Sequence, residues 1–298
     1  MKTLPKLVVI LGPTASGKTD LSIKLAKKLG GQVVSADSRQ LYKGLDIGSG
    51  KITKKEMAGI PHHLLNVASP KRKFTVSQYQ KLALLAIKKI HKNNKIPFLV
   101  GGSGFYIKSV IDKNIIPEVR PDWKLRKKLE QKNNKDLLAT LLKIDPKRAS
   151  SIDKNNPRRL IRALEIVLKT GTAVPVLSHA EEPKFDILQI GIKKSPKELK
   201  KLIRQRLLKE FENGLITEVK KLKTSGISFK RLEELGLEYS FVAQYLQKKL
   251  PYREMLKKLQ KEIEHFSKRQ ITWFKRDKRI KWVKNYKEAE NLVKNFLD

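Results

Sequence analysis

The 298-residue chain contains no cysteine. That absence excludes structural disulfides, cysteine-based zinc sites and thiol nucleophiles. Histidine is scarce and scattered, with five in all, so no histidine metal cluster is expected. His62 and His63 are neighbours, and in a strand they would point to opposite faces, one buried and one exposed. Long hydrophobic runs are also missing. The apolar run Leu7 to Leu11 leads straight into a glycine-containing segment, so it reads as a core strand and not as a signal peptide or membrane span. A cytoplasmic, monomeric protein with no membrane partner is expected. Acidic residues are the last shortage: 29 Asp and Glu stand against 66 Lys and Arg, a formal net charge of +37. Such a field attracts polyanions such as nucleic acid, although a lysine-rich chain can also reflect compositional bias. Residues 51 to 100 hold eleven Lys or Arg and one acid, Glu56. They form either a basic wall beside a ligand site or solvated surface on helices such as Gln78 to Lys92.

What is present begins with Gly12-Pro13-Thr14-Ala15-Ser16-Gly17-Lys18-Thr19, a match to G-x-x-x-x-G-K-[ST] directly behind an apolar strand and ahead of an amphipathic helix expected from Asp20 to Leu29. Glycines let successive backbone N–H groups turn inward around an anion. The helix aims its positive end at the same place, and Lys18 adds a full charge. Thr19 offers a hydroxyl to Mg²⁺. The segment predicts a grip on a di- or triphosphate.

Apolar or β-branched runs at Leu7 to Leu11, Gln32 to Ala36, His62 to Val67, Ile96 to Val100 and Phe185 to Ile192 alternate with helical periodicity. Alternating strands and helices predict a P-loop NTPase-like α/β fold, a parallel sheet with helices on both faces. Between Pro117 and Pro183 the strand signal vanishes in favour of helices at Asp122 to Asn133, Lys135 to Ile144 and Pro157 to Lys169. The expected organisation is therefore a catalytic core over 1–116 and 184–298 with an all-α insertion over 117–183, and 298 residues suffice for both. After Ile192 only helices are expected. The longest runs from Tyr252 to Phe274, with Met255, Leu256, Leu259, Ile263, Phe266 and Trp273 on one core-facing stripe.

A P-loop enzyme acting on a γ-phosphate usually holds Mg²⁺ with an acid at the end of a later strand. Here Ile96 to Val100 runs into Gly101-Gly102-Ser103-Gly104, without one. The acid instead follows the second strand, as Asp37. Carboxyl ends of neighbouring parallel strands open onto one crevice, so Asp37, Ser103 and the phosphate loop can converge there. Each residue has a plainer reading, since Asp and Ser are preferred helix caps.

Together with Asp37-Ser38-Arg39-Gln40-Leu41-Tyr42, Asp46-Ile47-Gly48 with Lys51, Gly101 to Tyr106, Arg158 to Glu165 and Lys268 to Phe274, the phosphate loop resembles the bacterial tRNA dimethylallyltransferases in order and spacing along nearly the whole chain. The resemblance implies transfer of a dimethylallyl group from dimethylallyl diphosphate to the exocyclic amine of the adenine 3′ of the anticodon, in tRNAs reading U-initial codons. Pyrophosphate leaves, so no γ-phosphate is attacked and no second acid is missed.

By the same resemblance, Asp37 accepts a proton from the amine, helped by the Ser103 hydroxyl, while Gly12 to Thr19 bind the diphosphate with Mg²⁺ on Thr19. Ser38, Arg39 and Gln40 border the extruded base. Arg126, Arg158, Arg159, Leu160, Ile161 and Arg162 of the insertion contact the tRNA anticodon stem-loop, and so do Lys268 and Arg269, while Trp273 and Phe274 pack the core. Read without the resemblance, those arginines form a solvated helix face partnered by Asp153 and Glu165.

Three positions depart from the family pattern: Ser103 where threonine is common, Arg158 where many relatives have glutamine, and Gly236-Leu237-Glu238-Tyr239 in place of a more usual Gly-Tyr-Arg. The last puts an acid where an RNA contact is expected, and no site is assigned there. The competing readings are an ATP-dependent small-molecule P-loop kinase and a non-catalytic RNA-binding P-loop protein.

Overall fold

The computed structural model describes residues 4–112, 119–175 and 184–298. The chain divides into two compact units, Met1–Ile111 with Glu182–Asp298, and Asp112–Glu181. The first is built on β1 (Lys6–Leu11), β2 (Gly31–Ser35), β3 (His62–His63), β4 (Ile96–Gly101), β5 (Asp186–Ile192) and β6 (Ile280–Val283). All pairings are parallel, in the order β3-β2-β4-β1-β5-β6. The central β1 buries both faces: Leu7, Val9 and Leu11 join a cluster with Tyr79 and Ile87, and Val8 and Ile10 join one with Leu25 and Val293. This is why the strand reads as an unbroken apolar run rather than an alternation.

Two strands differ from expectation. The run from His62 pairs for only two residues, because Leu64 at φ 64° and Asn66 at φ 56° turn the backbone into the left-handed region. Both histidines are half-buried rather than one in and one out: Nδ1 of His62 bonds the Ile60 carbonyl, and Nε2 of His63 bonds the Gln32 side chain. The strand β6 was not expected at all. It is four residues long, Lys281 is exposed, and pairing with β5 rather than local propensity makes it.

Three helices of the first unit precede the second: α1 (Lys18–Leu29), α2 (Val76–Lys92) and α3 (Gly104–Ile111). A capping box between Thr75 and Gln78 starts α2, and Gly30 at φ 65° ends α1.

The second unit contains α4 (Trp123–Leu129), α5 (Asn134–Ile144), α6 (Pro146–Ser151) and α7 (Pro157–Thr170). Asp122, Asn133, Asp145 and Asn156 cap them in turn. The cap at Asn133 explains why α4 stops at Leu129 instead of running on: the chain restarts a helix there. Leu137, Leu141, Leu160, Ile161 and Leu164 form the core of this unit.

The first unit resumes with β5 and then α8 (Pro196–Glu212), α9 (Leu215–Thr224), α10 (Phe229–Leu235), α11 (Leu237–Leu246), α12 (Tyr252–Phe274) and α13 (Tyr286–Leu297). On α12 the buried line is Met255, Leu259, Ile263, Ser267, Gln270 and Phe274. Phe266 and Trp273 are 41% and 37% exposed, which corrects the expectation that both face the core. Phe266 and Trp273 sit on the flank of the buried stripe, each about 100° behind its buried neighbour, Ser267 and Phe274. Two polar residues inside that stripe point to a site.

Candidate functional site

The turn after β1 wraps into an anion-binding loop. Ala15 at φ 59° and Gly17 at φ 87° take the left-handed conformation that turns successive N–H groups to one side. The hydroxyl of Ser16 is buried and has no hydrogen-bond partner among the described residues, which suits it to donate to an anion in the loop. Lys18 donates from Nζ to the Pro13 carbonyl at 2.7 Å, folding its ammonium back over the loop. Burial lowers its pKa to about 8, with Asp37 opposing the shift and Arg206 adding to it.

Two residues that local sequence does not flag complete this grip. Arg206 of α8 donates from Nη1 to the Thr14 hydroxyl at 3.0 Å and from Nε to Glu210 at 2.7 Å. It passes so close to Gly50, at φ 54°, that a Cβ there would overlap the guanidinium. Gln270 of α12 accepts from the Thr14 N–H at 2.9 Å and donates to the Gly102 carbonyl at 2.9 Å, tying the phosphate loop to the end of β4.

Asp37 and Ser103 sit where β2 and β4 end. Oδ1 of Asp37 accepts from the Arg39 N–H at 2.8 Å and from the Gln40 N–H at 3.4 Å, and the Ser103 hydroxyl accepts from the Ser38 N–H at 3.0 Å. Asp37 therefore does cap the turn that follows it, whereas the Ser103 hydroxyl serves the Ser38 N–H of that same turn rather than its own helix, and both residues line the cavity. Capping uses one carboxylate oxygen of Asp37. Among the described residues nothing hydrogen-bonds to the other.

These groups open onto one cavity of about 270 Å³, whose wall includes Thr14 to Thr19, Asp37 to Gln40, Gly101 to Ser103, Arg206, Glu238 and Gln270. Gly12 and Pro13 lie beneath the loop, both buried. Glu218 of α9 shapes the opposite wall by accepting the N–H groups of Asp46, Ile47 and Gly48 and the Tyr239 hydroxyl. Glu238, at the position assigned no site, is thus part of the cavity. Burial beside Glu210 raises its pKa to about 7. No acid ends β4, whose sequence runs through Val100 into Gly101, Gly102 and Ser103.

The arginines of the helical unit separate into two kinds. Arg158 and Arg159 are exposed in the first turn of α7. Arg126 and Arg162 instead clamp Glu165, which is fully buried, each at 2.6 Å. Burial alone would raise the Glu165 pKa. Arg126, the Asp122 N–H and Arg162 more than offset that and hold it below the usual carboxylate range. Leu160 and Ile161 are core residues, 0% and 6% exposed, so their side chains are unavailable to RNA, a correction to their expected role. Glu165 is likewise not the solvated partner expected of it. On α12, Lys268 and Arg269 are exposed, with the Arg269 guanidinium 5.9 Å from the ring centre of Phe266, itself on the cavity wall.

Among the described residues, no helix is long and apolar enough to cross a membrane. A family model described as IPP transferase matches residues 40–277. The tRNA dimethylallyltransferase of Carboxydothermus hydrogenoformans is 41% identical over 301 residues, covering 98% of this chain and 96% of the relative. That of Halalkalibacterium halodurans is 40% identical over 309 residues, 98% of each chain. Among solved structures, the tRNA isopentenylpyrophosphate transferase of Bacillus halodurans superposes with a TM-score of 0.74 at 37% identity, covering 98% of this chain and 96% of its own. A eukaryotic dimethylallyltransferase acting on tRNA gives 0.77 at 28% identity, covering 90% and 69%. With a domain match across most of its length and full-length relatives near 40% identity, the chain belongs to the IPP transferase family.

Proposed function

We propose that this chain transfers a dimethylallyl group from dimethylallyl diphosphate to the exocyclic amine of the adenine 3′ of the anticodon, in cytoplasmic tRNAs reading U-initial codons. One observation carries the reading: a diphosphate grip and a carboxylate-hydroxyl pair face one cavity, while no acid ends β4. A P-loop kinase usually holds its Mg²⁺ with that acid. An enzyme whose leaving group is the diphosphate itself does not need it.

In the reaction the bond between the allylic carbon and the diphosphate oxygen breaks, and the adenine nitrogen bonds to that carbon. The amine proton passes to Asp37, and pyrophosphate leaves. Lys18, Arg206 and the loop N–H groups stabilise the charge that develops on the departing oxygens. The free oxygen of Asp37 is available to the proton while the other is held by the Arg39 and Gln40 N–H groups, and Ser103 holds the adjoining Ser38 backbone. Ser38, Arg39 and Gln40 border the base, which must leave its stack at a cost of a few kcal/mol.

The donor set suits Mg²⁺. The Thr19 hydroxyl is a hard oxygen on the cavity wall and would hold the cation, which would supply positive charge to the leaving group.

The deciding experiment incubates the protein with unmodified tRNA, Mg²⁺ and either dimethylallyl diphosphate or ATP, then weighs the nucleosides after digestion. A gain of one C5H8 unit on adenosine, in the diphosphate arm only, is expected. Phosphate transfer from ATP would instead establish the kinase.

The helical unit supplies anticodon stem-loop contacts through Arg158 and Arg159, and α12 supplies them through Lys268 and Arg269. Replacing Arg158 and Arg159 together by Ala should make the slope of log affinity against log salt shallower by about 1.4–1.8, the value for two lost phosphate contacts. A slope equal to that of the wild type would return this face to solvent. Arg162→Ala is a poorer probe, because it also strips a partner from buried Glu165.

A further inference from the structure

Glu238 is a carboxylate in the wall of an anion-binding cavity, and the cluster around it sets what it can do. From α8, Arg206 and Glu210 face it; from the loop after β2, Arg39 does. Lys18 and Asp37 line the same cavity. Next along α11, the Tyr239 hydroxyl is taken by Glu218. Arg206 is already engaged, with Nε on Glu210 and Nη1 on Thr14. Among the described residues no side chain donates a hydrogen bond to Glu238. Its negative charge is supported by the field of Arg206, by its own backbone N–H and by the field of Arg39, and the two guanidinium groups are ones an incoming diphosphate would also use.

We propose that Glu238 is a proton-accepting residue of the diphosphate site, ionised in the free enzyme as a counter-charge to Arg206 and Arg39 and protonated when a diphosphate replaces it in that role. This rests on the diphosphate reading of the cavity. A multiply charged anion beside a partly desolvated carboxylate disfavours its charged form, and the cheapest relief is a proton from solvent. Glu210 is the rival acceptor, since burial raises its pKa too, but Arg206 bonds it directly at 2.7 Å and supports its charged form. The near-neutral titration of Glu238 places the exchange in the working range of pH. Diphosphate binding then carries a proton in, and pyrophosphate release carries one out.

The test is calorimetry of inorganic pyrophosphate with Mg²⁺ on the full chain, in two buffers of low and high ionisation enthalpy, for wild type, Glu238→Gln and Glu210→Gln. Titration of pyrophosphate and of Lys18 contributes to all three proteins, so the difference between proteins isolates the carboxylate. At pH 7 the wild type should take up about half a proton more than Glu238→Gln, as expected for a group half ionised there. Glu210→Gln should keep the uptake with its midpoint moved to lower pH, because a like charge beside Glu238 has been removed. Equal proton counts in wild type and Glu238→Gln overturn the proposal. So does loss of uptake in Glu210→Gln alone, which would make Glu210 the acceptor. Should Glu238→Gln fail to fold, the Glu210→Gln midpoint decides: a downward shift supports the proposal and an unmoved one overturns it. No binding heat with wild type would remove the diphosphate reading and this proposal together, whereas binding with equal proton counts removes the proposal alone.

Discussion

Asp37→Asn should lower the single-turnover rate of prenyl transfer by ~10²–10⁴, the usual contribution of a positioned general base, while leaving the fold intact. The geometry makes this substitution unusually clean. Oδ1 of Asp37 accepts the N–H groups of Arg39 and Gln40, and an asparagine side-chain oxygen can accept both in the same place. Ser103 continues to hold the Ser38 N–H, so the turn that borders the base survives. Only the negative charge and the proton-accepting capacity are lost. One side effect must be controlled. Asp37 supports the charged form of Lys18, so the variant's Lys18 titrates lower than in the wild type, and the rates are compared as full pH profiles so that loss of the ammonium is separated from loss of the base. Near-normal turnover on tRNA, with melting temperature and affinities unchanged, would reduce Asp37 to a turn cap and send the search for the base elsewhere in the cavity.

Asp37 and Ser103 could be found in the sequence because they follow short apolar strands. The strands set the parallel order, and parallel order brings carboxyl ends to one crevice. The phosphate loop was legible for the same reason, as a local pattern between a strand and a helix. Where local pattern and tertiary pairing part company, legibility ends. The run from His62 has strand composition, but Leu64 and Asn66 adopt left-handed backbone, and composition does not report that. Ile280–Val283 carries an exposed lysine and becomes a strand only because the edge of β5 is there to pair with.

The site divides along the same line. Arg206 reaches Thr14 across 192 positions of sequence and Gln270 reaches it across 256, so no neighbouring residue advertises either. Gln270 did leave a trace, as a polar residue at a step of the α12 stripe that the apolar pattern alone assigned to Trp273. Arg206 left none, being one basic residue in a helix rich in them. In α7 the pattern misled in the opposite sense. Four consecutive motif positions from Arg159 to Arg162 look like one contact surface, yet a helix turns about 100° per residue, and Leu160 and Ile161 face the core while Arg162 folds onto Glu165.

Lys18→Ala should lower kcat/KM for dimethylallyl diphosphate by about tenfold to a hundredfold, the equivalent of one charge-assisted hydrogen bond worth ~1.5–3 kcal/mol, with tRNA affinity nearly unchanged. Stability separates this loss from a folding defect. The folded protein holds the Lys18 pKa near 8, below that of the unfolded chain, because burial penalises the ammonium. Between about pH 8 and 10.5 the unfolded state therefore binds more protons than the folded one, so this lysine makes stability rise with pH across that window and costs stability below it. Its removal should leave the melting temperature at pH 7 equal to or above that of the wild type. Activity carries its own signature. In the wild type, kcat/KM should decline as pH rises through about 8 and the ammonium is lost, and in Lys18→Ala the part of that decline owed to the lysine should be missing, leaving the shallower fall that proton uptake at Glu238 produces. Pyrophosphate affinity should follow the same two curves, since the lysine acts on the diphosphate rather than on the base. A variant with normal diphosphate kinetics but collapsed tRNA affinity would move Lys18 out of the phosphate grip and into the RNA interface.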